Sequence, residues 1–451
     1  MNQEMINNFR TFLDNHLYAE ILLNDMTMNN ISWEKFLAFG PDVFKSKNRT
    51  NLMFKLFLFG EKISYKSFIE EFGNLYWLDY FFKEKIIIKK NEKIYTNNLI
   101  LICLQKKYLF VDIPLNFKSC KNKDTNVYLG IDSLLLMKNQ KFNLNRKVLD
   151  ICTGSGIQLL TCSEYFSEGV GIDINDRAIY IAKLNTLLNN LENKITIIKS
   201  NLYENIQSSY DLIYANPPFL PMNKDLDFSI IGDGGKDGFY FLEKILNGFA
   251  NHLNVNGHAI IIGECLGRKK EPMIEELLKN KYNQYSYEII INSCLPAKIV
   301  AKRLSYVKCY QIDNFAKFDQ YYQSLLSLYE KYGAYYYQYI LRIKKIPEDE
   351  IKLSKIVYNC SQFYLDEIYS FVDEYYIDKN NKRIIFKNKC VQLNKNLINI
   401  FDLLDGKRTL DECFEITLLY DEFSEVYLQL IPILQELINE NIICKNVAFS
   451  H

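Results

Sequence analysis

Residues 125–346 of this sequence predict an α/β fold with a doubly wound, mostly parallel sheet, on three observations. Short apolar runs that read as strands alternate with helix-length segments throughout this stretch. The first run leads into a glycine turn, Gly154-Ser155-Gly156, that opens a helix. The next three runs end in or lead to polar residues, Asp173, Asn201 and Asn216. That is the pattern of a sheet whose ligand crevice lies beyond the carboxyl ends of its strands.

The elements follow in order. Val148–Ile151 is the first strand, with a helix from Ile157, and Val170–Ile174 is the second, with a helix over Arg177–Asn190. Lys194–Lys199 and Leu212–Ala215 are the third and fourth. A helix over Phe239–Leu253 has its stop near Asn256-Gly257, followed by a fifth strand, His258–Gly263. Glu271–Leu278 is a short helix with Pro272 in its first turn, and Tyr287–Ile291 is a sixth strand. A helix over Phe315–Tyr332 and a last strand, Tyr336–Ile343, complete the unit.

The flanks differ in texture. Residues 1–110 read as a mainly helical domain, with apolar residues at helical spacing from Phe9 to Leu23 and helices over Lys62–Phe72 and Leu75–Lys83. A hairpin of Ile86–Lys89 and Lys93–Tyr95 follows, which makes a winged-helix pattern. Winged helices bind DNA in some proteins and position substrates or simply pack in others. Residues 350–451 form a third unit. Helical patterning over Ile351–Tyr369 leads to a hairpin, Glu374–Ile377 with Arg383–Phe386, around Asn380-Asn381. Helices over Leu397–Leu404, Leu410–Tyr420 and Glu425–Asn441 follow, the last kinked by Pro432.

A chain of 451 residues exceeds one core, so two or three domains are expected. Lysine plus arginine equals aspartate plus glutamate at 54 each, so no global field draws the protein to nucleic acid, although a local basic face would be compatible with that balance. Eleven scattered cysteines without a CxxC pair argue for reduced thiols and against zinc, and four histidines make a metal site or a histidine-based triad improbable. There is no basic-then-apolar signal segment at the N-terminus, and the apolar runs fall short of a membrane span. A cytoplasmic protein without membrane partner is expected.

The chemistry concentrates at the strand ends. In Asp150-Ile-Cys-Thr153-Gly154-Ser-Gly156 the glycines let a ligand approach the backbone and free a helix N-terminus. Asp173 can accept both hydroxyls of a ribose, and a polar side chain near Asn201-Leu202 can read an adenine edge. At the fourth strand end, Asn216-Pro217-Pro218-Phe219 stiffens the chain where it leaves the sheet. A carboxamide, a rigid carbonyl and an aromatic face then stand together, a set that can hold an NH2 group and aim its lone pair. Asn216 as a mere turn-former and Phe219 as a core aromatic are the plainer alternatives.

These segments resemble class I S-adenosylmethionine-dependent methyltransferases of the branch with an NPP[YF] motif. Val148 to Gly156 looks like the family's first motif, Gly171-Ile-Asp173 its second, and Asp233-Gly-Gly-Lys-Asp-Gly238 the DGGxDG segment of release-factor glutamine methyltransferases. Tyr128-Leu-Gly-Ile-Asp132-Ser133 resembles a stretch that covers cofactor and substrate in related enzymes. The resemblance implies a seven-stranded Rossmann-like core with S-adenosyl-L-methionine as cofactor. It assigns Asp150, Thr153, Gly154, Gly156, Asp173, Ile174, Asn201, Leu202 and Asn216 to that cofactor. Asn216, Pro217 and Phe219 would be catalytic, and Tyr128, Asp132, Ser133, Pro218 and Phe219 would touch the substrate; no metal is implied. Two positions depart from the family: Cys152 replaces the first glycine and reads best as a small buried thiol, and Asn201 stands where an aspartate is usual.

Amide nitrogen is a poor nucleophile, so two acceptors, the Asn216 side-chain oxygen and the Pro217 carbonyl, would fix its hydrogens while orientation lowers the barrier. Family members methylate adenine N6, guanine N2 or a protein glutamine. Leu393 to Glu412, with Thr409 capping a helix from Leu410 and Glu412 in the capping-box position, is similar to PqqD-like domains, the recognition elements of ribosomal-peptide maturation. Leu434 to Ile443 looks like that family's final helix, and the hairpin before it offers an edge to a leader peptide. A generic winged-helix packing domain is the other reading. The joint expectation is N-methylation of a side-chain amide or amine in a precursor peptide, against a rival acceptor in rRNA, tRNA or DNA.

Overall fold

The computed structural model describes residues 1–29, 31–44, 50–114, 127, 129–140, 146–223, 232–359, 368–371, 375–380, 383–386, 389–392, 395–410, 412–413 and 443–445. The chain begins with α1 (Gln3–Asn15), α2 (Tyr18–Met28) and α3 (Trp33–Phe39). After β1 (Ile63–Ser64) come α4 (Tyr65–Phe72) and α5 (Tyr76–Lys83). Ser64 caps α4, its hydroxyl accepting from the Ser67 amide, and Gly73 ends it with φ of 76°. β2 (Ile87–Lys90) and β3 (Lys93–Thr96) join β1 in a small antiparallel sheet. A second hairpin, β4 (Leu99–Leu104) with β5 (Lys107–Asp112), stands where the sequence reading has no strand. Its apolar runs are unbroken, and the structure buries both faces, so no alternation marks it.

The central unit runs through α6 (Ile131–Lys138), β6 (Arg146–Ile151), α7 (Ile157–Thr161), β7 (Phe166–Asp173), α8 (Asp176–Leu188), β8 (Ile195–Lys199) and β9 (Tyr210–Ala215). It continues through α9 (Tyr240–His252), β10 (Leu253–Arg268), β11 (Glu271–Pro272), α10 (Met273–Lys281), β12 (Ser286–Pro296), α11 (Ala297–Ile312), α12 (Phe318–Glu330) and β13 (Tyr335–Lys344). The strand order is β12-β13-β10-β9-β6-β7-β8, with β13 antiparallel to both neighbours and the others parallel. The order turns back between β6 and β9, which opens a crevice at their carboxyl ends.

Beyond the β4–β5 hairpin, the structure departs from the sequence-based expectation in three further places. The α9 helix does not continue to Asn256-Gly257, because the chain enters β10 at Leu253. The helix α11 has no counterpart in that reading, since only a mixed, nearly encircling set of its residues is buried. The helix expected over Ile351–Tyr369 is replaced by β14 (Ser354–Tyr358), which pairs in parallel with β12 as an eighth long strand of the sheet. Its Ile356-Val357 pair suits a pleated edge better than a helix.

One face of the sheet shares a continuous apolar core with the N-terminal helices. Phe9, Trp77, Phe81 and Phe110 are buried together with Ile181, Leu184, Tyr214 and Ile262. The other face buries Ile151, Ile213 and Ile261 under α9 and α10. Two asparagines of α8 dock β5: Asn185 exchanges hydrogen bonds with the Phe110 backbone at 2.7 and 2.9 Å, and Asn189 does the same with Tyr108 at 3.0 and 2.7 Å.

Farther along, β15 (Ile368–Phe371) lies between β19 (Asp405–Thr409) and β20 (Ile443–Lys445), and β16 (Tyr375–Asp378), β17 (Arg383–Phe386) and β18 (Lys389–Gln392) form an antiparallel meander. α13 (Lys395–Leu403) packs Phe401 near Phe371, ring centroids 5.9 Å apart. At the end of β19, Thr409 and Glu412 exchange hydrogen bonds, side chain to backbone, at 2.8 and 3.2 Å. Helices expected over Leu410–Tyr420 and Glu425–Asn441 lie almost wholly outside the described residues, as do Glu374, Asn381, Pro432 and Leu434. No described helix is long and apolar enough to cross a membrane.

Candidate active site

A cavity of about 300 Å³ occupies the crevice beyond β6, β7, β8 and β9. Asp150, Thr153, Gly154, Asp173, Ile174, Asn201, Leu202, Ser133, Asn216, Pro217, Pro218 and Phe219 all line it. Gly156 and Asp132 are not among its lining residues, and Tyr128 lies outside the described residues.

The glycine loop is held from below. Asp150 is buried and accepts a hydrogen bond from the Thr153 hydroxyl at 2.5 Å. Burial pushes its carboxyl up to about 7, with the charge of Asp173 adding to the rise and the Thr153 bond opposing it. Cys152 sits at φ of 58°, a left-handed conformation that glycine adopts at least cost. Burial lifts its thiol well above the ordinary range, so it is a packing group rather than a nucleophile.

Asp173 accepts from the Gly154 amide at 3.0 Å through one oxygen and from the Asn175 amide at 2.9 Å through the other. The remaining lone pairs are available to paired hydroxyls. Asn201 donates its Nδ2 to Glu204 at 2.6 Å, which leaves its oxygen as the acceptor. An asparagine so turned presents what an aspartate would.

Asn216 is arranged the same way. Its Nδ2 donates to Asp132 Oδ2 at 2.6 Å and to Ser133 Oγ at 3.2 Å, and a carboxylate can only accept, so the orientation is fixed. Its oxygen is then the atom left to accept. The first turn of α6 that holds it is itself anchored, Gln158 donating to the Ser133 carbonyl at 3.0 Å.

The Asp233–Gly238 segment braces Phe219 from outside. Leu220 donates to the Gly232 carbonyl at 2.8 Å, and the Gly234 amide donates to the Leu220 carbonyl at 2.9 Å. A Cβ on Gly238, at φ of +81°, would lie 2.5 Å from the Phe219 carbonyl oxygen. Tyr240, Phe241 and Lys244 of α9 also line the cavity and were missed in the sequence reading. Their position just past the glycine segment was the available signal.

The profile of the methyltransferase small domain family matches residues 126–284. A Methanocaldococcus jannaschii protein named provisionally as a protein N5-glutamine methyltransferase is 34% identical over 171 residues, 36% of this chain and 82% of that protein. The release factor glutamine methyltransferase of Borreliella burgdorferi is 30% identical over 197 residues, 40% of this chain and 68% of its own length. A Francisella tularensis ribosomal protein uL3 glutamine methyltransferase is 31% identical over 126 residues, 25% of this chain and 40% of the relative.

Proposed function

The chain belongs to the class I S-adenosylmethionine-dependent methyltransferases, and from that premise we propose that it methylates a side-chain amide or amine nitrogen of a peptide or protein. The crevice fits the cofactor: Asp173 has lone pairs for ribose hydroxyls, Asn201 an oxygen for an amino group, and Gly154 leaves open space where a side chain would stand. When bound, S-adenosylmethionine supplies a methyl group activated on a sulfonium.

The observation that carries the proposal is the clamped Asn216. With both amide hydrogens turned to Asp132 and Ser133, its oxygen and the Pro217 carbonyl accept the two hydrogens of an acceptor NH2. The nitrogen lone pair is then aimed along one line, and Phe219 packs against the flat group. No strong base is needed before transfer, since the product nitrogen sheds its proton afterwards. The names of the relatives, which methylate glutamine in proteins, support an amide over a base amino group.

In this reading residues 1–110 form a helical/winged-helix domain and 125–346 the catalytic domain, whose sheet β14 extends; the rest of 350–451 is a PqqD-like domain. The last captures the leader of a ribosomally made precursor peptide in the cytoplasm. The test is mass spectrometry of a candidate precursor incubated with cofactor. The gain of one methyl group on a side-chain nitrogen, absent with Asn216→Ala, is expected; methylation of RNA alone would overturn the proposal.

A further inference from the structure

Ser133 is held from two sides. Its hydroxyl accepts from Asn216 Nδ2 at 3.2 Å, and its backbone carbonyl accepts from Gln158 Nε2 at 3.0 Å. Gln158 is the second residue of α7, just past the glycine loop, and it lines the cavity. One amide group therefore belongs both to the wall of the cofactor crevice and to the support of the clamp on Asn216.

The polarity of that support is fixed at both ends. Gln140 Nε2 donates to the Gln158 backbone carbonyl and to Gln158 Oε1, each at 2.9 Å. A backbone carbonyl can only accept, so the Gln140 nitrogen faces Gln158, and Gln158 meets it with its side-chain oxygen. That turns Gln158 Nε2 toward the Ser133 carbonyl, again an acceptor alone. Asp132, Ser133, Gln140 and Gln158 are all buried. The N-cap of α6 is Gly130, which has no side chain to give the first turn, so the Gln158 amide supplies a link that the helix's own sequence lacks.

We propose that Gln158 is a positioning residue for methyl transfer. By holding the first turn of α6 against α7, it sets the place of Asp132 and Ser133, and so the way Asn216 presents its oxygen to the acceptor NH2. Alignment of the acceptor is thereby set from the same loop and helix that line the cofactor crevice. The inference rests on the clamped-Asn216 reading above and deepens it.

The experiment uses the full chain with S-adenosylmethionine and a peptide library carrying glutamine or lysine between randomised flanks. Gln158→Leu should lower kcat roughly 10-fold and leave cofactor Kd by calorimetry and peptide KM nearly unchanged. Gln158→Glu keeps the shape but donates to the Ser133 carbonyl only when protonated. Its rate relative to wild type should rise as pH falls from about 8 to about 6, because burial raises such a carboxyl. An unchanged kcat, a ratio flat in pH, or a loss confined to cofactor affinity would overturn the inference and leave peptide methylation standing. A second readout needs no acceptor. The Asn216 side-chain NH2 signal in nitrogen–proton NMR spectra, identified by its loss in Asn216→Ala, should shift and exchange faster with solvent in Gln158→Leu. A signal that does not move would overturn the inference whatever the substrate. A signal that moves, in an enzyme that methylates no peptide, would overturn the peptide reading and support the positioning of Asn216 by Gln158.

Discussion

Asp132 and Asn216, 84 residues apart in sequence, meet through a 2.6 Å hydrogen bond that ties the first turn of α6 to the end of β9. The bond decides which end of the carboxamide faces the cavity. Asp132→Ala should let the group turn over and present NH2 in place of oxygen. We expect a fall in kcat of roughly 10- to 100-fold, the scale of a misplaced reacting group. Cofactor affinity by calorimetry should stay near wild type, and Asp132→Asn, which keeps an acceptor oxygen, should recover part of the rate. Equal losses in Asp132→Ala and Asp132→Asn would contradict this.

Gly234 tests the brace behind Phe219. A Cβ there would lie 2.6 Å from both the Phe219 Cα and its carbonyl carbon, and backbone cannot yield as a flexible side chain can. Gly234→Ala should cost about 1–3 kcal/mol in urea denaturation, the range for overpacking, together with a loss of transfer rate. Exposed Lys236 in the same segment is the control. Its alanine variant should stay within about 0.5 kcal/mol of wild type.

Much of this was legible in the sequence because short-range chemistry fixed it. The glycine turn, Asp173 and Asn-Pro-Pro-Phe each announce a strand end, and the cavity gathers them. The clamp on Asn216 was not legible as such: Asp132 and Ser133 were expected at the substrate, and only the fold brings them to the carboxamide. Nor were β4 and β5, whose Leu99–Leu104 run has no period once both faces are buried. The β14 segment misled for the opposite reason. Its exposed and half-buried residues give little pattern, and pairing with β12 decides its conformation.

Arg177 holds the hairpin β4–β5 to the core through Asp112. Its Nε donates to Asp112 Oδ1 at 3.0 Å, its Nη2 donates to the same oxygen, and the Asp112 side chain is fully buried. Asp112 Oδ2 also accepts from the Val127 amide at 2.9 Å, and Val127 lines the cavity. Arg177→Ala leaves a buried carboxylate without its guanidinium, a change that typically costs about 3–5 kcal/mol; Arg177 is partly exposed, so the lower end is expected. A weaker cofactor affinity should accompany it, through Val127. Calorimetry showing unchanged affinity in a destabilised variant would separate the two effects and refute the second.

The Asp150 carboxyl gives the protein a pH signature. Burial holds it up to about 7 against an ordinary value of 3.8, so the folded chain keeps a proton that the unfolded chain has released. Its contribution to stability is therefore complete below about pH 4 and is lost as pH climbs through about 7, at up to about 1.4 kcal/mol per pH unit. Asp150→Asn stays neutral and keeps an oxygen for the Thr153 hydroxyl. Relative to this variant, wild type should lose stability steadily as denaturation is repeated from pH 4 to pH 8. Glu264, raised by burial, titrates in either protein and cancels in the difference, whereas Asp173 is coupled to Asp150 through its charge and titrates as part of the same signal. A difference that stays flat across that window would show that Asp150 is ionised in the folded state throughout.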